Sequence, residues 1–427
     1  MRPVYQVADR LKIGCKRTLS TLQWTLLSVL SGVIIGLIGT AFYFGIVWVT
    51  GLRQSHPYFL LLLPFGSMLI LFIYHLADRD HPGGTDLVLS SIREGSYIPL
   101  RMTPLIFIST IFSHLCGASV GREGAALQLG GSIGNTMARI FRLEESERRI
   151  LVLSGMAAAF SALMGTPLAG AVFAMEITSV GVMYYPALLP TVVSAFTAHY
   201  VALLMGQPIP HYDFNLIPDF TIAPVLKISI VGVAAGFAAI LFILALRYTK
   251  KYIASPLGNR YLRAFILGSV LLILTAITTY VEGDSQSYNG AGMDMIHLAI
   301  EGRSPWYAFL MKILFTALSI AAAYKGGEIV PSFFIGATVG SALAPILNLD
   351  PALCAAAGMA AVFCGVTNCP LTAMLIIFEL FGFDAMPFII IPVAISYVVS
   401  GYFSLYKTQH FHFAKFKGDD NHMVGGV

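Results

Sequence analysis

Apolar stretches long enough to cross a bilayer recur along the chain. TLLSVLSGVIIGLIGTAFYFGIVWV (25–49), YFLLLLPFGSMLILFIYHL (58–76), VLKISIVGVAAGFAAILFILAL (225–246) and AFILGSVLLILTAITTYV (264–281) are the plainest. About 20 apolar residues make one helical span, whereas a membrane barrel alternates apolar and polar positions over roughly ten-residue strands. The pattern predicts an all-α, polytopic membrane protein. Other apolar segments are shorter and broken by Gly and Pro, above all in 121–182: GREGAALQLGGSIGNTMARIF, VLSGMAAAFSALMG and TPLAGAVFAMEIT. Interrupted helices are tolerated at membrane depth only where they are buried in protein or line a cavity, so this region is expected to hold the transport site.

The chain repeats itself. SGMAAAFSALMGTPLAGAVFAMEIT (154–178) aligns with AGMAAVFCGVTNCPLTAMLIIFELF (357–381), pairing Gly155 with Gly358, Phe160 with Phe363, Pro167 with Pro370 and Glu176 with Glu379. Upstream, GREGAALQLGGSIG (121–134) pairs with GEIVPSFFIGATVG (327–340) after a three-residue slip, and downstream Pro190, Ser194 and Tyr200 pair with Pro392, Ser396 and Tyr402. Two homologous halves with interrupted segments at matching places mark a transporter whose site lies at the repeat interface. The order of the motifs does not show whether the repeat is inverted. The expected divisions are a basic N-terminus (1–20), a first half (21–210), a second half (211–407) and a short polar tail (408–427) that leaves no room for a soluble regulatory domain.

Composition agrees: 57% of the residues are hydrophobic and 11% charged, against roughly 25% charged in soluble domains. The net charge of +4 is small, but Arg2, Arg10, Lys12, Lys16 and Arg17 precede the first span with only Asp9 against them. That asymmetry places the N-terminus in the cytoplasm. The first apolar run is too long for a signal-peptide core and reads as a retained span. The five cysteines, Cys15, Cys116, Cys354, Cys364 and Cys369, read as small hydrophobes. They complete no metal site with the histidines, and no nucleotide fingerprint or nucleophile elbow points to an enzyme. No cofactor and no nucleic acid is expected.

The charges that do enter the apolar chain are informative. Arg122 and Glu123 stand between Gly121 and Gly124 at the start of a helical pattern. A glycine-flanked helix start offers free backbone N–H groups and about half a positive charge, which binds anions. KGGEIVPSFFIGATVG has the same construction, with Pro331 in or near the first turn. Two such ends converging near mid-membrane form an anion site without a full fixed charge, which an ion can also leave. Glu123 at one end would occupy the site when ionised and vacate it when protonated, a competitive gate coupled to protons. The plainer alternatives are a helix-cap carboxylate or a pair with Arg122; neighbouring residues of one helix do not face each other, which speaks against the pair. Intramembrane carboxylates are mostly functional.

GREG, GTPLAGAVFAMEI, GGEIVP and NCPLTAMLIIFEL, in this order, resemble the CLC family of anion channels and anion/proton antiporters, over roughly residues 20–410. The resemblance implies an inverted repeat of tilted, broken helices, a homodimer with one pore per subunit, and Glu123 as the external gating glutamate. The lack of a cytoplasmic regulatory domain pair resembles the bacterial members, and implies a multi-pass protein of the inner membrane with both termini cytoplasmic. Three departures matter. Chloride-selective members carry a glycine-serine-glycine-isoleucine-proline stretch where this chain reads GGTDLVLSS (83–91), with Thr85 nearest the serine and Asp86 beside it. Proton-coupled chloride members carry an internal glutamate where this chain has Ile177. The second-half motif normally has an apolar residue where this chain has Glu328.

Together these changes resemble the fluoride/proton antiporter branch (CLC-F). The expected activity is export of fluoride in exchange for protons; a chloride channel or chloride/proton antiporter of the same fold is the alternative. A carrier for a larger organic anion would call for several Arg or Lys on broken helices, and only Arg122 and Lys325 come close. The anion-binding residues expected are Gly84, Thr85, Asp86, Gly121, Arg122, Gly124, Ile329, Val330 and Tyr406, with Glu123 and Glu328 as the gating, proton-coupling pair. Asp86 is a puzzle on an anion path unless it caps its helix or faces away. Glu328 is either a second proton acceptor or a carboxylate bonded to helix N–H groups. Tyr406 is preferred to Tyr402 as the inner gate, since Tyr402 has a repeat partner in Tyr200. The symmetry of Glu176 and Glu379 suggests structural hydrogen bonds, His114 a bonded core histidine, and the segment 410–422 a solvated end.

Overall fold

A computed structural model describes residues 2–77, 84–96, 98–283 and 286–416, with side chains from Arg17 onward. Gly83, His422, and the side chains of Arg2, Asp9, Arg10, Lys12, Cys15 and Lys16 lie outside the described residues. The first half runs α1 (Arg2–Ser55), α2 (Leu63–Ala77), α3 (Thr85–Glu94), α4 (Met102–Cys116), α5 (Glu123–Ile140), α6 (Glu145–Met164), α7 (Pro167–Glu176) and α8 (Leu188–Leu204). The second runs α9 (Ile222–Tyr248), α10 (Arg260–Glu282), α11 (Met293–Ile300), α12 (Ala308–Ala321), α13 (Ile329–Leu347), α14 (Pro351–Thr367), α15 (Pro370–Phe381) and α16 (Met386–Val399). α1 passes the boundary at residue 20 without a break.

Among the described residues six helices are long and apolar enough to cross a membrane, including Arg17–Ser55, Ile222–Ala254 and Arg260–Glu282. Their outward faces carry large exposed apolar side chains such as Leu26, Phe237 and Ile273, which suits a lipid solvent and not water. Helices α5–α7 and α13–α15 form the interior, and most of their residues are buried, including those of α13, itself one of the six.

Small residues let these inner helices approach backbone to backbone. A methyl group on Gly130 would overlap the Gly155 carbonyl, and one on Gly336 would overlap the Gly358 carbonyl. The α5/α6 contact is therefore repeated as α13/α14, through glycines that the sequence repeat already aligns. Close approach by glycine supplies the packing that drives helix association where lipid is as apolar as the core.

The relation between the halves is decided at α7 and α15. Glu379, near the end of α15, accepts hydrogen bonds from Leu168 N (2.9 Å) and Ala169 N (2.9 Å) at the start of α7. Glu176, the last residue of α7, accepts from Leu371 N (3.1 Å), Thr372 N (2.9 Å) and Thr372 Oγ1 (2.6 Å) at the start of α15. Each helix caps the other, so the two run antiparallel and are exchanged by a two-fold axis across them. The repeat is inverted. Pro167 and Pro370 open the two helices, where no intrahelical N–H is lost. Glu379→Ala, like Glu176→Ala, is expected to lose about 2 kcal/mol of stability, as orphaned helix N–H groups lose a charged acceptor. Unfolding in detergent by heat or denaturant measures this. A Glu379→Gln protein of undiminished stability but without transport would give that carboxylate a part in the pathway instead.

The segment 410–416 departs from the expected solvated end. β1 (Ser179–Val180) pairs in parallel with β2 (His410–Phe411), Phe411 is buried, and Lys415 Nζ donates to Asn368 Oδ1, Tyr397 O and Gly401 O. Phe411 finds cover against Tyr402 and the loop after α7, while His412, Phe413 and Phe416 stay exposed as expected.

Candidate anion pathway

Gly121 and Gly327 join the two halves. Gly121 N donates to Gly327 O at 2.6 Å and Gly327 N to Gly121 O at 2.8 Å, an isolated antiparallel bridge. Glycine is required at 327, where a Cβ would lie 2.5 Å from Gly124 N, and favoured at its partners: a Cβ on Gly124 would lie 3.0 Å from Gly327 Cα, and one on Gly121 3.0 Å from Gly327 O. The bridge sets the start of α5 beside the start of α13. The first intrahelical donors are Ala126 N in α5 and Ser332 N in α13. The preceding amides have no partner within their own helices, apart from Pro331, which lacks an N–H.

α3 brings a third helix start. Gly84 is extended before it, and the Thr85 hydroxyl donates to Gly124 O at 3.4 Å. A Cβ on Gly124 would meet Thr85 Oγ1 at 3.5 Å and Glu328 Oε2 at 3.9 Å. Gly84, Thr85, Asp86, Glu328 and Tyr406 line one cavity of about 340 Å³; Gly121 and Gly124 are buried and do not line it, though Gly124 lies against Thr85 and Glu328. The N-termini of three helices thus meet around one space.

Glu123 is fully buried. It lines neither this cavity nor a second one, of about 750 Å³, that Arg122, Tyr43, Arg53 and His114 face. Arg122 before it lines the second cavity and Gly124 after it lies against Thr85 and Glu328 of the first, so Glu123 stands between the two. Its carboxylate accepts from Arg122 N at 3.1 Å and pairs with Arg122 Nε at 3.4 Å. This corrects the expectation that neighbours would not face each other: Arg122 precedes the helix, with φ −118 and ψ −21, so helical geometry does not hold the two side chains apart. The guanidinium also lies 4.7 Å from the Tyr43 ring centroid, which leaves Arg122 on the second cavity, away from Glu328.

Glu328 is the residue before α13 and makes no side-chain cap bond to that helix. Its side chain is half-buried and reaches the cavity of Thr85 and Tyr406. Ile329 and Val330 are buried in the first turn. Asp86 does not cap its own helix; its Oδ1 accepts from Thr408 N (3.4 Å) and Thr408 Oγ1 (3.0 Å). Arg93 of the same helix donates to Thr408 O, so α3 is latched to the chain segment that follows α16. The carboxylate is turned to those donors, which accounts for an acid beside an anion path. Gln409 continues the latch, donating to Ile177 O (3.2 Å) and Thr367 O (2.8 Å).

Tyr406 is 4% exposed and lines the cavity, whereas Tyr402 Oη accepts from Lys415 N and its ring packs on Phe411 and Phe416. Ile177 is fully buried. His114 bonds Thr110 O through Nδ1 at 2.9 Å. Lys325 lines the Glu328 cavity with its Nζ 4.5 Å from the Tyr74 ring centroid.

Several residues in reach of the pathway escaped the sequence reading. Gln128, one turn beyond Gly124, donates to Gly124 O at 3.2 Å and lines the cavity; its four-residue spacing on the face of Gly124 was the available signal. Arg53 and Lys312 are buried cations bonded to backbone carbonyls: Arg53 to His114 O, and Lys312 to Tyr288 O and Gly290 O. Asn289 Nδ2 and Gly290 N then reach Gly117 O and Ala118 O, so this network braces the chain leading to Glu123. Both cations sit in apolar helices far from the motif, where no sequence signal separates them from snorkelling residues.

Three helix starts beside a small cavity, with one buried carboxylate at the start of α5 and another lining the cavity, can bind a small anion and exchange protons with it. The fold defines a polytopic, inverted-repeat membrane protein. Residues 65–401 match the family described as voltage gated chloride channel. A chloride/fluoride channel protein of Pseudomonas syringae pv. tomato is 34% identical over 394 residues, 91% of this chain and 86% of that protein. An H(+)/Cl(-) exchange transporter ClcA of Salmonella paratyphi B is 24% identical over 87% of this chain and 84% of its own. Among solved structures, a CLC-type fluoride/proton antiporter superposes with a TM-score of 0.86 at 31% identity, covering 91% of this chain and 98% of that one. A slow cyanobacterial Cl-/H+ antiporter shares the fold, with a TM-score of 0.74 at 20% identity over 88% and 94% of the two chains. The chain belongs to the CLC family, the voltage gated chloride channel family.

Proposed function

We propose that this protein is a fluoride/proton antiporter that exports fluoride against its gradient. The observation that carries the reading is Glu123 buried between two cavities, with Glu328 facing one of them. Ile177, buried where chloride/proton antiporters carry their internal glutamate, disfavours the chloride alternative. Two relatives above 30% identity, one described as a chloride/fluoride channel protein and one as a CLC-type fluoride/proton antiporter, support the choice of ion.

In this reading fluoride is held by backbone N–H groups of Gly84–Asp86, Gly121–Gly124 and Ile329–Val330, with Tyr406 at the inner end. Strongly hydrated fluoride is costly to desolvate, and close donors must replace its water. Glu123 takes the anion's place when ionised; protonated, it swings out and carries its proton through. Glu328 passes protons on the inner side. The N-terminal basic residues and the tail lie in the cytoplasm, the protein sits in the inner membrane of a bacterium, residues 21–210 and 211–407 are the two repeats, and the unit is a homodimer with one pathway in each subunit.

Exchanging one outgoing fluoride for one incoming proton moves two charge equivalents inward. At about 2.3 kcal/mol per charge per 100 mV, this sustains roughly a thousandfold outward gradient. That suits an ion that enters cells as its neutral acid and is trapped as the anion. Liposomes loaded in turn with fluoride and chloride test the reading. Fluoride efflux coupled to proton entry is expected, with chloride at least tenfold slower; equal chloride efflux without proton movement would overturn it. In the same assay Thr85→Ala is expected to narrow the preference severalfold, since its hydroxyl, which donates to Gly124 O over a long 3.4 Å, can turn that proton to a bound anion. An unchanged ratio removes that hydroxyl from ion selection.

A further inference from the structure

The space beyond Glu328 carries more positive charge than a monovalent ion calls for. A cavity of about 800 Å³ opens between the end of α9, the π-helical turn Thr249–Ala254, the start of α10 and the segment 404–407. Arg247, Lys250, Lys251, Arg260, Arg263 and Lys407 line it, opposed by Asp86 and Glu328. Among the described residues none of the six forms an ion pair. Arg247 donates to Ser404 O at 3.0 Å. The buried Nε of Arg263 has no hydrogen-bond partner. Leaving such a donor unsatisfied costs about 1–3 kcal/mol, and native structures seldom do so without a reason.

Six cations around one concavity would repel one another, and a ligand with several charges offsets that repulsion. The volume lies within the range of small-molecule sites, about 300–1,000 Å³. Guanidinium groups match phosphate oxygens two at a time, and ammonium groups complete the charge. We propose that this cavity binds a polyvalent phosphate group, and that its occupancy closes the fluoride pathway on the Glu328 side. The closing step follows from position: Lys250 and Arg263 line both this cavity and the one at Thr85 and Tyr406. A phosphate held there stands across the passage, and its charge repels an incoming anion within a Debye length, about 8 Å at physiological salt.

The same chemistry has two sources. One is a soluble di- or triphosphate; the other is the head group of an anionic phospholipid, since Tyr252, Tyr261 and Leu262 are exposed on the adjoining hairpin, where aromatic residues favour the membrane interface. The closing step rests on the antiport reading; the binding site does not.

The full chain is reconstituted in neutral phosphatidylcholine vesicles, and fluoride efflux is followed with tripolyphosphate on both sides, ionic strength being matched with gluconate. At least fivefold slower efflux is expected, together with a rise of a few degrees in the unfolding temperature in detergent. Both effects are lost in the double variant Lys251→Gln/Arg260→Gln, judged against its own uninhibited rate. In a second arm phosphatidylglycerol replaces part of the neutral lipid; slowing that appears there, vanishes in the double variant and comes without a response to tripolyphosphate identifies the head group as the ligand. No response in either arm, a response retained by the double variant, or one reproduced by ionic strength alone overturns the site. A wild-type protein that moves no fluoride at all but is stabilised by tripolyphosphate overturns the transport reading and retains the phosphate site.

Discussion

Glu123→Ala carries fluoride down its gradient and moves no protons. The carboxylate is buried between the two cavities, and its ligands are the N–H and guanidinium of Arg122. Removing it leaves the start of α5 and the Gly121–Gly327 bridge in place, so the anion's backbone donors remain. On the proposed reading, what disappears is the group that stands in for the anion and carries a proton past it. Proton movement driven by a fluoride gradient is therefore expected to fall to the background of empty vesicles, at least a hundredfold, while fluoride efflux continues. Arg122 keeps its contact with the Tyr43 ring and faces the second cavity, so it is not stranded in an apolar site and the fold is expected to survive. A pH electrode and a fluoride electrode on the same vesicles give the ratio directly. Uphill proton movement by Glu123→Ala would show that coupling resides elsewhere.

Glu328→Gln acts differently. Glu328 precedes α13 but gives that helix no cap bond, so amide replacement forfeits no helix stabilisation, and stability is expected to stay within about 0.5 kcal/mol. A carboxylate on an anion path repels the anion, and proton uptake is the function that offsets this. Ile177 is buried and cannot titrate, and on the proposed reading Glu328 is the acid that passes protons to Glu123 from the Tyr406 cavity. Coupled exchange is expected to fall at least tenfold, about 1.4 kcal/mol in the slowest step. Thermal unfolding and fluoride-driven proton flux on one preparation separate this from simple destabilisation. Normal flux per folded molecule in Glu328→Gln would leave Glu123 as the single titrating group on the path.

Much of the architecture could be read from the chain. The long apolar runs marked the spans, because a bilayer imposes length and composition on any helix that crosses it. The glycine- and proline-broken segments marked the interior, because exposed backbone is not tolerated in lipid. The alignment of Glu176 with Glu379 anticipated hydrogen-bonded structural roles for both, although the partners could not be named. GREG and GGEIVP marked two helix starts, since glycine and proline have definite places there.

What remained hidden depended on contacts between residues distant in the chain. The order of the motifs left open whether the repeat is inverted, because alignment records order and not direction in space; the family resemblance implied the inversion, and the mutual capping of α7 and α15 shows it. Asp86 was unaccountable in sequence; its donors lie at Thr408, more than three hundred residues away. Arg122 and Glu123 pair because Arg122 stands just outside the helix, a matter of one residue's backbone angles. Arg53, Lys312 and the cations beyond Glu328 looked like ordinary charges of apolar spans, and only the tertiary packing shows that Arg53 and Lys312 bond distant carbonyls and that the others line one cavity. By itself the sequence determined which segments enter the membrane, that they form two related halves, and which residues open the broken helices, since each follows from local composition and from the bilayer's demand on the backbone. Tertiary structure alone decided the antiparallel relation of the halves, the meeting of three helix starts at one cavity and the partner of every buried charge, since these depend on which distant surfaces touch.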